Sequence, residues 1–315
     1  MENFLPADAL STILAMKVFV KKETPVQNLA FCAIIAGFDG ILSLIGALLP
    51  LSAFFLMMLA PLLAAMVGYF CKKRYYAVYL FGAMGVSLAV SAWSFENTLF
   101  YMLPSLCSGT LYGFLLRCKV NAPGVNFLVA MVQYSFFWIS LLLIKAIYEI
   151  DMREMVCSLF SLKVTDLVYD SFALFALAYS FAVTGFSHLF FALQASRLGI
   201  AYAEDDKIVD YYPIFTLIFS FLTILLMLLY KKLGYFFLGC SFYWGFASFL
   251  SRFPKPHWSL YLGLGLCTFS AIICTALAFT NATVYDAMLS LVAFPIALMV
   301  ASLLDVILGK KKNSN

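Results

Sequence analysis

Long apolar runs separated by short polar segments occupy most of this 315-residue chain. A helix of about twenty residues is about 30 Å long, which matches the hydrocarbon core of a bilayer. The pattern therefore predicts an all-α fold, a polytopic transmembrane helical bundle of about ten spans. The predicted spans are residues 28–49, 53–71, 76–93, 98–116, 125–144, 167–193, 211–230, 234–250, 258–279 and 284–307.

The number and direction of the spans depend on where Lys and Arg lie, because short loops rich in these residues face the cytoplasm. With the N-terminus in the cytoplasm, most basic clusters face inward, and the linkers at Pro50, Glu96 and Asn281 face outward. Lys231 and Lys232 would then face outward, against the rule, so nine spans is the alternative. The pattern predicts a multi-pass protein of the cell membrane with both termini in the cytoplasm.

Three segments follow from this pattern. Residues 1–27 are a cytoplasmic or interfacial N-terminal segment, residues 28–200 a six-span bundle, and residues 201–315 a four-span C-terminal segment. The longest polar interval, 145–166, carries apolar residues at helical spacing, which predicts a helix lying on the membrane surface. Those apolar positions are Met152, Met155, Val156, Leu159 and Phe160.

Composition supports a membrane location and excludes several classes. The chain is 64% hydrophobic and 11% charged, whereas a soluble domain carries about 25% charged residues. The net charge of +4 is dispersed in short clusters, so the bilayer and not nucleic acid is the expected partner. Eight Cys without CxxC or Cys/His ligand spacing indicate neither a disulfide framework nor a zinc site. The acidic run at 204–206 lacks the pattern of a calcium loop and indicates a solvated linker.

Motifs for catalysis are missing as well. The sequence has no GxxxxGK[ST] loop, so the chain is not expected to hydrolyse ATP. It has no HExxH and no GxSxG, the signatures of zinc proteases and serine hydrolases. We therefore expect no cofactor, no metal and no enzymatic activity.

Asp39 is the sharpest candidate for chemistry, because it lies near the middle of the first predicted span. A carboxylate at the centre of a membrane costs about 2.5 to 3.5 kcal/mol on insertion scales unless it is paired, hydrated or protonated. Asp39 is predicted either to contact a substrate or relay a cation or proton, or to be a structural carboxyl bonded within a helix interface.

Two further polar residues lie inside predicted spans, Gln133 in the fifth and His188 in the sixth. Together with Asp39 they are the predicted substrate-binding residues of a polar cavity. The alternative is that each forms an interhelical hydrogen bond worth about 0.6 kcal/mol without a role in binding.

Small residues recur at four-residue spacing in the fourth span, at Ser105, Gly109 and Gly113. This spacing puts them on one stripe of a helix, where a neighbouring helix can approach closely. The stripe is predicted to be a helix-packing surface. Internal packing is the favoured use, and docking of a partner is the alternative.

Three segments carry a resemblance to known families, LLPLSAFFLMMLAPLLAAMVGYFCKKRYYA (48–77), LFYMLPSLCSGTLYGFLLR (99–117) and LVAFPIALMVASLLDVILGKKK (291–312). They share Pro and Gly placed around basic helix ends. Together they resemble the YybS-like family of bacterial predicted membrane proteins. The first six spans also resemble the substrate-binding S components of energy-coupling-factor vitamin transporters. The resemblance implies small-molecule transport, with a coupling subunit as an expected partner.

Two functions are therefore expected in different classes. The first is binding or transport of a small organic solute, vitamin-like or metabolite-like. The second is a membrane scaffold that binds other proteins in envelope assembly, division or sporulation.

Overall fold

The structure is a computed structural model that describes residues 20–49, 52–151, 153–154, 166–198, 208–251 and 291–312, with isolated positions between 261 and 276. All regular structure in these residues is helical, and they contain no strand. The longer described helices are α1 Pro25–Leu48, α2 Ala53–Phe70, α3 Tyr76–Val90, α4 Phe95–Arg117, α5 Ala122–Tyr148, α6 Asp166–Leu198, α7 Tyr212–Leu229, α8 Lys231–Leu250 and α9 Ala293–Lys312.

Six stretches of the described helices are long and apolar enough to cross a membrane. They are Pro25–Leu48, Thr98–Arg117, Ala122–Tyr148, Phe172–Leu193, Val209–Leu229 and Lys232–Leu250. These helices fit an integral, multi-pass membrane protein, which confirms the predicted all-α class.

The count of ten spans stays a prediction. The apolar helices Leu56–Phe70 and Ala293–Leu304 are shorter than a full span, and α3 has 15 residues. Most of the predicted ninth span and most of the predicted surface helix lie outside the described residues.

Local sequence signals explain where two of the helices begin and end. α1 begins at Pro25 because Thr24 caps it: the Gln27 N–H donates to the Thr24 side chain at 3.2 Å, and the Gln27 side chain accepts from the Thr24 N–H at 3.3 Å. Pro25 occupies the first turn, where no backbone donor is needed. α5 ends where Glu149 adopts a left-handed conformation with φ 59°. Lys145 therefore lies in the last turn of α5 and not in a linker.

The chain divides into two compact units. The first contains residues 1–160 and 179–203, and the second contains residues 161–178 and 204–315. In the first unit α2 packs against α4, α4 against α5, and α1 against α3. A core cluster joins α2, α4, α5 and α6 through Leu62, Ala65, Tyr112, Leu116, Val129 and Phe191.

In the second unit, α7 and α8 pack along each other and α9 packs against both. Buried Ser220 and Ser241 share a hydrogen bond of 2.6 Å between these helices. A Cβ at Gly245 would lie 3.0 Å from Pro295, which brings α8 and α9 into close contact. Both α7 and α8 are among the candidate spans, although Tyr230 is the one residue that separates them.

Candidate functional site

The Asp39 side chain is fully buried between α1 and α3. Its Oδ2 atom accepts a hydrogen bond of 2.7 Å from the hydroxyl of Tyr79, which is itself 1% exposed. Its Oδ1 atom is buried and has no hydrogen-bond partner among the residues that the structure describes. A buried acceptor without a partner costs about 1–3 kcal/mol, and more if the group is charged. One of the two carboxyl oxygens of Asp39 therefore has a hydrogen-bond partner, Tyr79, and the other has none among the described residues.

Polar residues continue along the same face of α1. Ser43 lies one turn after Asp39 and donates to the Asp39 carbonyl at 2.9 Å. Asn28, near the start of α1, donates to the Thr24 carbonyl at 2.7 Å and accepts from the Lys72 N–H at 2.8 Å. Tyr101 of α4 donates to the Ser43 carbonyl at 3.1 Å. Tyr101 thereby links the polar face of α1 to α4.

α4 carries a row of buried hydroxyl groups at alternating spacings of three and four residues, which we term the hydroxyl stripe. This spacing places the residues on one face of the helix over about 21 Å. The hydroxyl stripe consists of Thr98, Tyr101, Ser105, Ser108 and Tyr112, all at most 2% exposed.

Two of the three predicted binding residues contact the hydroxyl stripe on adjacent turns. Ser108 donates to the Gln133 side-chain carbonyl of α5 at 2.5 Å. One turn further on, the Tyr112 hydroxyl lies 2.8 Å from Nδ1 of His188 on α6. The structure thus brings Gln133 and His188 to one helix face. It places the Asp39 side chain against Tyr79 instead.

Several polar atoms on the seam between α4 and α5 are buried without a hydrogen-bond partner among the described residues. They are the Ser105 hydroxyl, the Gln133 Nε2 group and the Ser140 hydroxyl. Gln133 and Ser140 are seven residues apart and so lie on one face of α5. Because α4 and α5 are joined by a short turn and run antiparallel, the Ser108–Gln133 bond places Ser140 near the level of Tyr101. The seam therefore offers unused donors and acceptors over about two helical turns.

The side of α4 next to the hydroxyl stripe has a different character, because Gly109 and Gly113 lie against α2. A Cβ at Gly109 would be 2.7 Å from Cα of Pro61, and one at Gly113 would be 2.7 Å from the backbone nitrogen of Tyr69. Gly68 of α2 makes the reciprocal approach, 3.0 Å from the Phe114 nitrogen. Ser105, predicted together with these glycines, lies one turn before Gly109 and is also a member of the hydroxyl stripe.

Asp39, Gln133, His188 and Ser105 were predicted from the sequence. The residues Tyr79, Tyr101, Tyr112 and Ser108 were not. A signal was present, since Thr, Tyr and Ser recur in α4 at the spacing of one helix face. Tyrosine is also typical of the membrane–water boundary, however, so its number in this chain obscured the pattern.

An ion-pair cluster lies outside the spans, after the end of α5. Asp151 accepts from Arg153 at 2.6 and 2.9 Å, and its carboxylate lies 3.2 Å from the Lys145 ammonium group. The hydrogen bonds from Arg153 hold the pKa of Asp151 well below its usual range. The cluster ties the end of α5 to the segment that follows it.

No group of three or more His, Cys, Asp or Glu side chains within the described part of the chain is arranged to hold a metal ion. The acidic run Glu204, Asp205 and Asp206 lies outside that part.

No family model, no curated protein and no solved structure matches this chain. The candidate site is therefore interpreted from its own geometry.

Proposed function

We propose that this membrane protein binds a small organic solute at the hydroxyl stripe of α4 and carries it across the bilayer, without hydrolysing ATP itself. The observation that carries the proposal is the set of buried polar atoms at Ser105, Gln133 and Ser140, which have no hydrogen-bond partner among the residues that the structure describes. In a packed interior such groups are normally hydrogen-bonded, so each exception calls for an explanation. A bound solute that supplies the missing partners is the explanation proposed here.

The chemistry of the seam favours a neutral solute with hydrogen-bonding groups, such as a vitamin or metabolite. Gln133 Nε2 can donate to a solute carbonyl, and the Ser105 and Ser140 hydroxyls can donate or accept. The seam residues named above carry no full charge, so a charged solute would lose its hydration without gaining an ion pair. His188 and Tyr112 would mark one end of the bound solute.

Asp39 has a separate part in this proposal, as the group that couples transport to a proton or cation. It lies one turn from Ser43, which Tyr101 of the hydroxyl stripe contacts. A change in the charge of Asp39 would alter its bond with Tyr79, and hence the contact between α1 and α3. Carboxylates within membrane spans mark ion pathways and proton relays in pumps and transporters.

The direction of the spans is part of the same proposal. Basic residues from separate segments lie together at one end of the first unit, where they donate to backbone carbonyls. The Lys22 backbone N–H donates to the Phe70 carbonyl, the Lys72 ammonium group to the Glu23 carbonyl, and the Arg117 guanidinium group to the Cys71 carbonyl. This grouping supports a cytoplasmic position for that end of the first unit and for the N-terminal segment that leads into α1. A cytoplasmic C-terminus stays a prediction. The resemblance to YybS-like proteins and to S components stays a prediction.

Uptake measurements test the proposal. Cells or proteoliposomes with the protein should accumulate a hit from a panel of labelled vitamins and metabolites, and Ser140→Ala should reduce uptake at low solute concentration. Ser135→Ala is the matched control, because Ser135 lies on the exposed side of α5 and donates to Met131 at 2.8 Å. If the two variants transport every solute equally, the seam is not the binding site.

The scaffold alternative has one observation in its favour. Gly82 and Gly85 of α3 are exposed, and a Cβ at either position would have no described atom within 4 Å, so this face would let another helix approach closely. A defined membrane partner whose co-purification is lost in Gly85→Leu, with solute uptake absent from the wild type, would favour the scaffold.

A further inference from the structure

A groove of about 480 Å³ lies beside the first half of α1, away from the hydroxyl stripe. Its lining includes Lys21, Lys22, Gln27, Ala30, Phe31 and Ile34. The groove is polar at the end that precedes α1 and apolar along the helix.

The polar end carries two cations. Lys21 is exposed, and the Lys22 ammonium group lies 4.8 Å from the centroid of the Phe31 ring. Gln27 adds an exposed amide one turn into α1. The start of α1 also contributes the partial positive charge of a helix N-terminus. An anionic group placed here would be attracted by both lysines and by the helix end.

The apolar end continues as a stripe along the outside of α1. Ile34 is 58% exposed, and Phe38 and Ile41 follow at 51% and 55% on the same face. In a bilayer this face contacts acyl chains. Because the stripe begins inside the groove, an acyl chain on it would lead directly to the two lysines.

We infer that this groove binds an anionic phospholipid, with the headgroup phosphate at Lys21 and Lys22 and an acyl chain along Ala30, Ile34 and Phe38. Charge complementarity selects this occupant over a zwitterionic lipid. Each lysine near a membrane surface favours an anionic lipid about fivefold, so the pair gives on the order of thirtyfold. The inference does not depend on the proposed transport.

Two other lysines at this end of the first unit, Lys73 and Lys119, differ from Lys21 and Lys22 because they do not line the groove. Lys73 lies over the Phe114 ring at 4.4 Å, and Lys119 follows the end of α4 with φ 56°. Both belong to the same basic end of the first unit, but neither lines the groove. They provide a control with the same loss of charge.

The test uses the full-length protein in nanodiscs that contain phosphatidylcholine and phosphatidylglycerol, followed by native mass spectrometry of the released protein. The wild type should retain phosphatidylglycerol in preference to phosphatidylcholine. Lys21→Gln/Lys22→Gln should weaken that preference by about thirtyfold. Lys73→Gln/Lys119→Gln should retain most of it. Equal retention by wild type and the Lys21/Lys22 variant would overturn the inference.

A second variant tests the groove without changing charge. Ala30→Trp places a large ring in the apolar part of an exposed site, so it should lower phosphatidylglycerol retention while the protein still folds. A photo-crosslinking p-benzoylphenylalanine at Ile34 then reports the occupant directly. An adduct with the mass of phosphatidylglycerol, lost in Lys21→Gln/Lys22→Gln, supports the inference. A crosslink to residues 1–19 of the same chain would show that the chain fills the groove and would overturn it.

Discussion

Two sides of α4 differ in how completely their polar groups are hydrogen-bonded. Towards α2, glycines bring two backbones into contact, and a side chain at Gly109 or Gly113 would meet backbone atoms. On the side of the hydroxyl stripe, hydroxyl groups bond to α1, α5 and α6. The Ser105 hydroxyl and the Gln133 Nε2 group are buried there without a partner among the described residues. The first side has the character of a structural contact. The second side has buried donors and acceptors that the described helices leave without a hydrogen bond, as expected of a surface that binds a ligand.

The largest effect is expected from a substitution that disrupts the contact between α2 and α4. Gly109→Leu should prevent correct folding or lower the free energy of unfolding by about 3 kcal/mol, because the new side chain meets the Pro61 backbone and two helices must separate. The measurement is the yield of monodisperse protein and its thermal unfolding in detergent. Gly85→Leu on the exposed face of α3 is the control, expected within about 0.5 kcal/mol of wild type. A well-folded Gly109→Leu protein would show that the contact between α2 and α4 is adjustable.

A smaller effect is expected at the buried carboxyl. Tyr79→Phe removes the hydrogen-bond donor to Asp39 and should cost about 1–3 kcal/mol of stability, because the carboxyl then keeps no partner among the described residues. Adding Asp39→Leu should recover part of that loss, since the unpaired acceptor is removed. A double-mutant cycle of unfolding free energies measures the coupling. Additive effects would mean that the two groups do not interact.

On the polar side, substitution should affect binding more than stability. Ser140→Ala removes a hydroxyl that has no partner among the described residues, so the unfolding free energy should stay within about 0.5 kcal/mol of wild type. Affinity for a transported solute should fall by about five- to tenfold, as expected for one neutral hydrogen bond. Isothermal titration with a solute found in the uptake panel measures it. A marked loss of stability would instead show that Ser140 is structural.

The smallest effect concerns acid pH and the cluster at the end of α5. Because hydrogen bonds from Arg153 lower the folded-state pKa of Asp151, its stabilising contribution is present above the unfolded pKa of about 3.9 and is lost as pH falls through the folded value. Asp151→Asn should therefore cost up to about 1 kcal/mol at pH 7 and less at pH 3. Unfolding at both pH values measures the difference, with Glu149→Gln as the control. A larger loss at pH 3 would contradict the assignment.

The helical class and several helix ends could be predicted from the sequence, since they depend on local features. Apolar length predicts a span, and Thr24 with Gln27 forms a capping box readable within four residues. The pairing of polar side chains between helices could not be predicted. Asp39 meets Tyr79 from 40 residues away, and Tyr112 meets His188 from 76 residues away. In lipid, a helix face that contacts acyl chains and a face that packs on another helix can both be apolar, so hydrophobic periodicity does not reveal which helices are neighbours.

The most direct test of the central claim is ligand-dependent stabilisation of the wild type and of Gln133→Leu across a panel of neutral vitamins and metabolites. A ligand that binds only the folded state raises the apparent stability by RT ln(1 + [L]/Kd), so the shift grows with ligand concentration and with affinity. The account predicts that at least one solute raises the unfolding temperature of the wild type, and that Gln133→Leu, still folded, loses most of this shift. A solute that stabilises both proteins equally would place binding elsewhere and contradict the account.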